Sequence, residues 1–323
     1  MEKGPNLRRI FIFDNPRTWS HLFAKLFAQQ PALQLLYHPF LPAALYGPER
    51  YQVKTKHCQE ADDVQRYWGE SEEFREWNVI TYEAAFQKLM EATEGAEAEV
   101  VGKSIFCNEH LNALMRHDVM LDYLKPDMKM VGTTDYNPTC LPDDFLATLT
   151  PIVLIRHPAL TIPSSWRTES NIKKLQIEDE DFWLLTTYKW SRLLFDHLHR
   201  NSAEGPAPVV VDAYDVVHNT DKLASMLCKK FDLDLQAVQQ TWEKLPKEQW
   251  PDHSVVVGYT KDLLASNGVQ RGSGVPLEDA FDIDAETVKW TAEFGPETAL
   301  KMKKCVEAEM SDYEYLRSFK VAI

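Results

Sequence analysis

Within Pro16-Arg17-Thr18-Trp19-Ser20-His21 the chain sets a guanidinium, two hydroxyls and an imidazole side by side. Two further clusters carry related chemistry. Asn108-Glu109-His110 joins a carboxyl to an imidazole, and Arg156-His157-Pro158 is followed by Ser164, Ser165 and Arg167. Arginine grips phosphate or sulfate through a planar fork, and hydroxyls add neutral donors. An imidazole that titrates near neutrality can take a proton from a nucleophile beside such an anion. The chemistry suggested is anion capture next to a proton acceptor.

The elements that must position these groups follow from hydrophobic spacing. Ile10, Phe11, Ile12 and Phe13 read as a buried strand, and Leu22, Phe23, Leu26 and Phe27 repeat at helical intervals after it. A strand that turns sharply into a helix points free N–H groups and the positive end of the helix at one spot, which favours an anion. Arg17 adds a full charge there; Thr18 and Ser20 add donors. Further strands are expected at residues 100–106, delivering Cys107 to His110 to their carboxyl end, at 152–155 ending in Arg156, and at 209–211. Residues 37–51, with three prolines, read as a surface loop. Helical composition covers residues 60–94, with Trp68, Phe74, Trp77, Phe86 and Leu89 available to bury. It recurs at 111–124, at 179–200 as one long amphipathic helix, and at 220–231, 235–242 and 284–319. Pro163 is expected to kink or restart the helix after Arg156. Short apolar strands alternating with helices predict an α/β fold, a parallel sheet with helices on both faces. In such sheets ligands lie outside the carboxyl ends of the strands, where all three clusters fall. Without a clear linker, residues 1–323 are expected to form a single domain whose part from about 243 is helical.

The totals narrow the function. The 323 residues carry a formal charge of −14, which argues against a general nucleic-acid or anionic-membrane binder. Five scattered cysteines without a C-x-x-C pair read as reduced thiols. The amino terminus lacks the apolar core of a signal peptide, and no apolar run reaches the roughly 18 residues of a membrane span. A cytoplasmic protein is expected, with monomer and homodimer both open. His197-x-His199 and Cys107-x-x-His110 each offer two metal ligands with no further partner at fitting spacing, so no metal is expected.

With these residues in hand, the chain resembles the sulfotransferase family. Pro16-Arg17-Thr18-Trp19-Ser20-His21 looks like the loop that binds the 5′-phosphosulfate of 3′-phosphoadenosine 5′-phosphosulfate. Arg156 and Ser164, eight residues apart, match the pair that holds the 3′-phosphate of the same donor. The arrangement is most similar to a fungal branch of sulfotransferase-like P-loop proteins. The resemblance implies a P-loop-like α/β fold with about four or five parallel strands. It also implies sulfuryl transfer to a hydroxyl or amine of a small, largely apolar acceptor, leaving 3′-phosphoadenosine 5′-phosphate. It implies His110 as general base, Arg17 stabilising charge on the bridging oxygen, and Glu109 as rival base or orienter of His110. Arg17, Thr18, Trp19, Ser20 and His21 would line the 5′ end. Arg271, Gly272 and Ser273 are the nearest counterpart of the family's carboxyl-terminal Gly-rich loop.

Trp19 stands where the family has Gly or Ala, and Asn108 where relatives carry Lys. These departures keep open a protein that binds the anion without turnover. A third reading, a phosphoryl-transfer relative, lacks the Gly-x-x-x-x-Gly-Lys-Ser/Thr loop it would need.

Overall fold

The computed structural model describes residues 8–51, 72–94, 103–125, 136–202, 207–271 and 281–323. The apolar run closes on an acid to form β1 (Arg9–Asp14), buried from Ile10 onward. After the turn come α1 (Ser20–Leu26), β2 (Leu33–Tyr37) and α2 (Leu41–Leu45). The surface loop expected at residues 37–51 is therefore a strand end and a short helix, because Ala43 and Ala44 are small enough to pack into the core. Trp68 lies outside the described residues. Phe74 and Leu89 are buried, the second on α3 (Tyr82–Glu94).

The strand expected at residues 100–106 is β3 (Ser104–His110), which takes in Cys107 to His110 instead of ending before them. Its alternating faces bury Ile105 and Cys107 on one side of the sheet and Phe106 on the other. The helix expected at 111–124 breaks into α4 (Leu111–Leu114) and α5 (His117–Tyr123). After α6 (Asp143–Ala147), β4 (Leu149–Ile155) starts earlier than its apolar run because Leu149, Thr150 and Pro151 pair with Arg9, Ile10 and Phe11 of β1. The ladder between β4 and the next strand begins only at Ile152, so on that side the missing N–H of Pro151 removes no hydrogen bond.

α7 (Pro158–Ile172) runs through Pro163 without ending there. The single helix expected at 179–200 is two, α8 (Glu180–Thr186) and α9 (Lys189–Arg200). They part where Asn15 Nδ2 donates to the Thr187 carbonyl (2.9 Å) and Tyr188 N–H donates to Glu309 (2.6 Å). β5 (Val209–Asp212) and α11 (Thr220–Phe231) follow as expected, with an unexpected short helix, α10 (Ala213–His218), between them, and residues 235–242 shrink to one 3-10 turn, Leu235–Ala237. The remaining helices are α12 (Ser254–Leu264), α13 (Ile283–Phe294) and α14 (Pro296–Arg317). The last two are separated by Gly295 at φ 84 with Pro296 opening the next helix, which splits the run expected at 284–319.

The five strands form one all-parallel sheet in the order β2-β3-β1-β4-β5. This is the parallel α/β architecture the sequence implied. One face packs on α1, α10 and α11; the other packs on α2 to α6 and α9. β1 is central, and the chain leaves β1 toward β2 but leaves β4 toward β5. That reversal opens a crevice beyond the carboxyl ends of β1 and β4. Among the described residues no helix is long and apolar enough to cross a membrane.

Gly47 tests how tightly α2 is fitted. A Cβ there would lie 2.1 Å from the Ile80 carbonyl oxygen and 2.7 Å from that of Ala43, both rigid backbone. Gly47→Ala is expected to destabilise by about 1–3 kcal/mol, read as a lower urea midpoint at unchanged slope.

Candidate active site

The turn Asn15–Trp19 holds two non-glycine residues in the left-handed region, Arg17 at φ 70 and Trp19 at φ 65. Such conformations persist where surroundings force them, and here the anchors are visible. The buried Asn15 amide donates to the Thr187 carbonyl, and its oxygen accepts from Ser191 Oγ (3.3 Å). Thr18 Oγ1 donates to Asp14 Oδ2 (2.7 Å) and sits fully buried. The Thr18 hydroxyl is thus turned inward to hold the turn. Ser20 is buried beside Asp14 as well. At seven residues α1 is two turns long, so the charge at this spot comes mainly from arginine.

Arg17 Nε donates to Ser164 Oγ (3.0 Å) on α7, and its Nη1 donates to the Tyr259 carbonyl (3.1 Å) on α12. Arg156, one residue past β4, donates from Nη1 to the Arg17 carbonyl (2.7 Å) and lays its guanidinium 3.9 Å from the Trp19 ring centroid. The Tyr188 hydroxyl donates to the Arg156 carbonyl. The two arginines therefore share one crevice, with Ser164 on the Arg17 side of it. Burial pulls Arg156 down to about 9, and the neighbouring Arg17 charge adds to the effect. Among the described residues Arg156 Nε is buried with no partner. Two crowded cations, one with an orphaned donor, fit a di-anionic group.

Across β1 lies the proton chemistry. Register pairs Asp14 with His110, and side-chain alternation puts Asn108 on the same face. Asp14 Oδ1 accepts from Asn108 Nδ2 (3.1 Å) and meets His110 Nδ1 at 2.9 Å. Burial pushes the Asp14 carboxyl up, but the charge and hydrogen bond of His110 outweigh it and hold Asp14 below the usual carboxylate range. Burial pulls His110 down, while the charge and hydrogen bond of Asp14 and the charge of Glu109 lift it above ordinary imidazole. Glu109 points to the other face, where its oxygens accept the N–H groups of Phe40 (2.6 Å) and His110 (2.9 Å). Burial pushes it up to about 8 despite these donors.

His21 is not a surface histidine: its Nε2 lies 3.0 Å from His38 Nε2, and burial pulls it to about 3. Arg271 donates from Nη2 to Gln240 (2.9 Å) and from Nε to the Val217 carbonyl, on the α10 side of the sheet. Gly272 and Ser273 lie outside the described residues. Among the described residues no group of histidines, cysteines and carboxylates is disposed to hold a metal ion. A cavity of about 60 Å³ lies past α4, bordered by Tyr51, Tyr82, Asn112, Met120, Lys173 and Leu184.

Sequence reasoning missed Asp14, His38 and Tyr259. For Asp14 a signal existed: it is the lone acid closing an apolar strand. His38 and Tyr259 carry none, since strand pairing and helix packing bring them in.

The geometry defines a class: a parallel α/β protein that gathers two arginines and a carboxylate-backed histidine at the switch point of its sheet. No family model matches the chain. It is 28% identical over 355 residues to Sulfotransferase ppzF of Metarhizium rileyi (strain RCEF 4871), covering 96% of this chain and 95% of that protein. It is 30% identical over 262 residues to Sulfotransferase ppzF of Metarhizium majus (strain ARSEF 297), covering 74% of this chain and 75% of that protein. The chain belongs to this fungal sulfotransferase family, and its activity is in general terms that of a sulfotransferase.

Proposed function

We propose that the chain transfers a sulfuryl group from 3′-phosphoadenosine 5′-phosphosulfate to a hydroxyl or amine of a small, largely apolar acceptor, with His110 as general base. The observation that carries this is the meeting of Arg17 and Arg156 in one crevice, with Arg156 Nε buried and unpaired among the described residues. When bound, the nucleotide supplies the activated sulfuryl group. Arg17 would hold the 5′ end, and Arg156 over Trp19, with Ser164, the 3′-phosphate. Ser20 lies beside Asp14 and His21 beside His38, while Arg271 is bonded to Gln240 and the Val217 carbonyl.

His110 carries the proton. Asp14 takes its Nδ1–H, which leaves Nε2 as the lone pair for the acceptor's proton and stabilises the imidazolium that forms. This favours His110 over Glu109, whose two oxygens are already occupied by backbone donors.

Thermal melting tests the donor. At about 100 Kd, 3′,5′-adenosine bisphosphate should stabilise the protein by about 2.7 kcal/mol, with AMP at the same concentration giving a much smaller rise. Equal shifts, or none, would remove the bisphosphate reading.

A second reading is binding without turnover. Asn108, placed where the resemblance implies a lysine, spends its amide on Asp14 and offers no cation. Donor binding with no product from an acceptor panel would select it.

A further inference from the structure

We propose that His38 is a positioning residue whose ring, gripped at both nitrogens, fixes the plane of His110 for proton transfer; this rests on His110 being the base. His38 follows the last residue of β2 and sits in the left-handed region at φ 48. A non-glycine residue is strained there and stays only where its contacts over-determine it. Its N–H donates to the Asn108 carbonyl (2.8 Å), locking the backbone to β3. Its Nδ1 lies 3.3 Å from Glu109 Oε1 and its Nε2 lies 3.0 Å from His21 Nε2. His21 is stacked on Tyr37 at 5.5 Å and 3°. The His38 ring then faces His110 with centroids 4.2 Å apart at 37°.

The hydrogen count shows what this chain does. Two facing Nε2 atoms at 3.0 Å hold one hydrogen between them, so the rings take complementary tautomers and cannot both be cations. When Glu109 is ionised, His38 donates from Nδ1 and accepts at Nε2. When Glu109 is protonated, it donates to Nδ1 and His38 donates onward to His21. Either way His38 presents an uncharged face to His110. His110 is thus held from one side by Asp14 and from the other by a neutral ring that cannot turn. The groups facing His110 are Asp14 from β1, Glu109 from its own strand, Arg17 and His21 from the turn and helix after β1, and His38.

His38→Asn tests this, because asparagine tolerates positive φ and removes only the ring. In the full chain, the melting temperature should fall only by what one or two lost buried hydrogen bonds cost, and affinity for 3′,5′-adenosine bisphosphate should stay near that of the unmutated protein. kcat should fall about 10–100-fold, since misplacing a reacting group by an ångström has that scale of effect. The acid limb of the rate profile should move to higher pH, because water reaching His110 relieves the burial that pulls its proton affinity down. Unchanged kcat and pH limb would overturn the proposal, as would weakened nucleotide binding with unchanged kcat. Histidine-selective nitrogen NMR on the unmutated protein gives an answer even if the variant misfolds. His38 and His21 should remain neutral, in complementary tautomers, down to about pH 5, well below ordinary imidazole titration. Ordinary titration of His38 would refute it. His110→Asn separates the two ideas: full kcat there removes the base assignment, whereas a loss there with none in His38→Asn removes only this inference.

Discussion

Replacing His110 by asparagine is expected to lower kcat by about 10²–10⁴-fold with little change in nucleotide affinity or melting temperature. The size follows from losing the group proposed to take the acceptor's proton, while Asn retains a donor for Asp14 Oδ1. The pH dependence carries the sign. A base works when unprotonated, and Asp14 lifts His110 above ordinary imidazole. The rate of the unmutated protein should therefore climb with pH through an apparent pKa above about 6.5, the free imidazole value. Asp14→Asn removes the charge that raises His110, so its acid limb should move to lower pH even as the maximal rate falls. A limb that stays put in Asp14→Asn would detach the carboxylate from the base. Rate profiles of kcat for the three proteins decide this.

Arg17→Ala is expected to lower kcat/KM by about 10²–10³-fold, the scale seen when one preorganised donor to developing charge is removed. The same variant should leave the melting temperature of the free protein unchanged or higher. Arg17 and Arg156 share the crevice, burial lowers the proton affinity of both, and the charge of Arg17 lowers that of Arg156 further. Removing one cation relieves that tension, which in the free protein no bound anion offsets. The stabilisation by 3′,5′-adenosine bisphosphate should shrink in parallel with the rate. Arg17→Lys should recover only part of the loss. An ammonium keeps the charge but cannot donate to Ser164 Oγ and the Tyr259 carbonyl through one rigid fork. Melting curves with and without the nucleotide, beside initial rates, distinguish an arginine that binds substrate from one that holds α12 in place.

The tension between these two side chains also explains the effort spent on the turn. Asn15, Thr18 and Trp19 are each tied to a different element, and the strained backbone at Arg17 and Trp19 is stable only with those ties. Trp19, which stands where the resemblance implies Gly or Ala, supplies the face on which the Arg156 guanidinium rests. A bulky residue here shields one cation instead of filling the cradle.

What the chain determines locally was readable in advance. Ile10 to Phe13, Ile152 to Ile155 and Val209 to Val211 are continuous apolar runs because both faces of a parallel strand are buried, so their order implied the sheet and its ligand edge. Arg17, His110 and Arg156 were legible because each ends or follows such a run. The pairings were not. Asp14 meets His110 through strand register 96 residues apart in the chain, and Arg17 reaches Tyr259 across 242. The break between α8 and α9 is set by Asn15 and Glu309, 172 and 121 residues away, against a local pattern that reads as one helix. His38 looked like part of a loop because no periodicity marks a residue whose role comes from the rings around it. Periodicity reports the solvent boundary of each element; which polar groups share a buried space depends on how the elements stack, and only the packed molecule decides that.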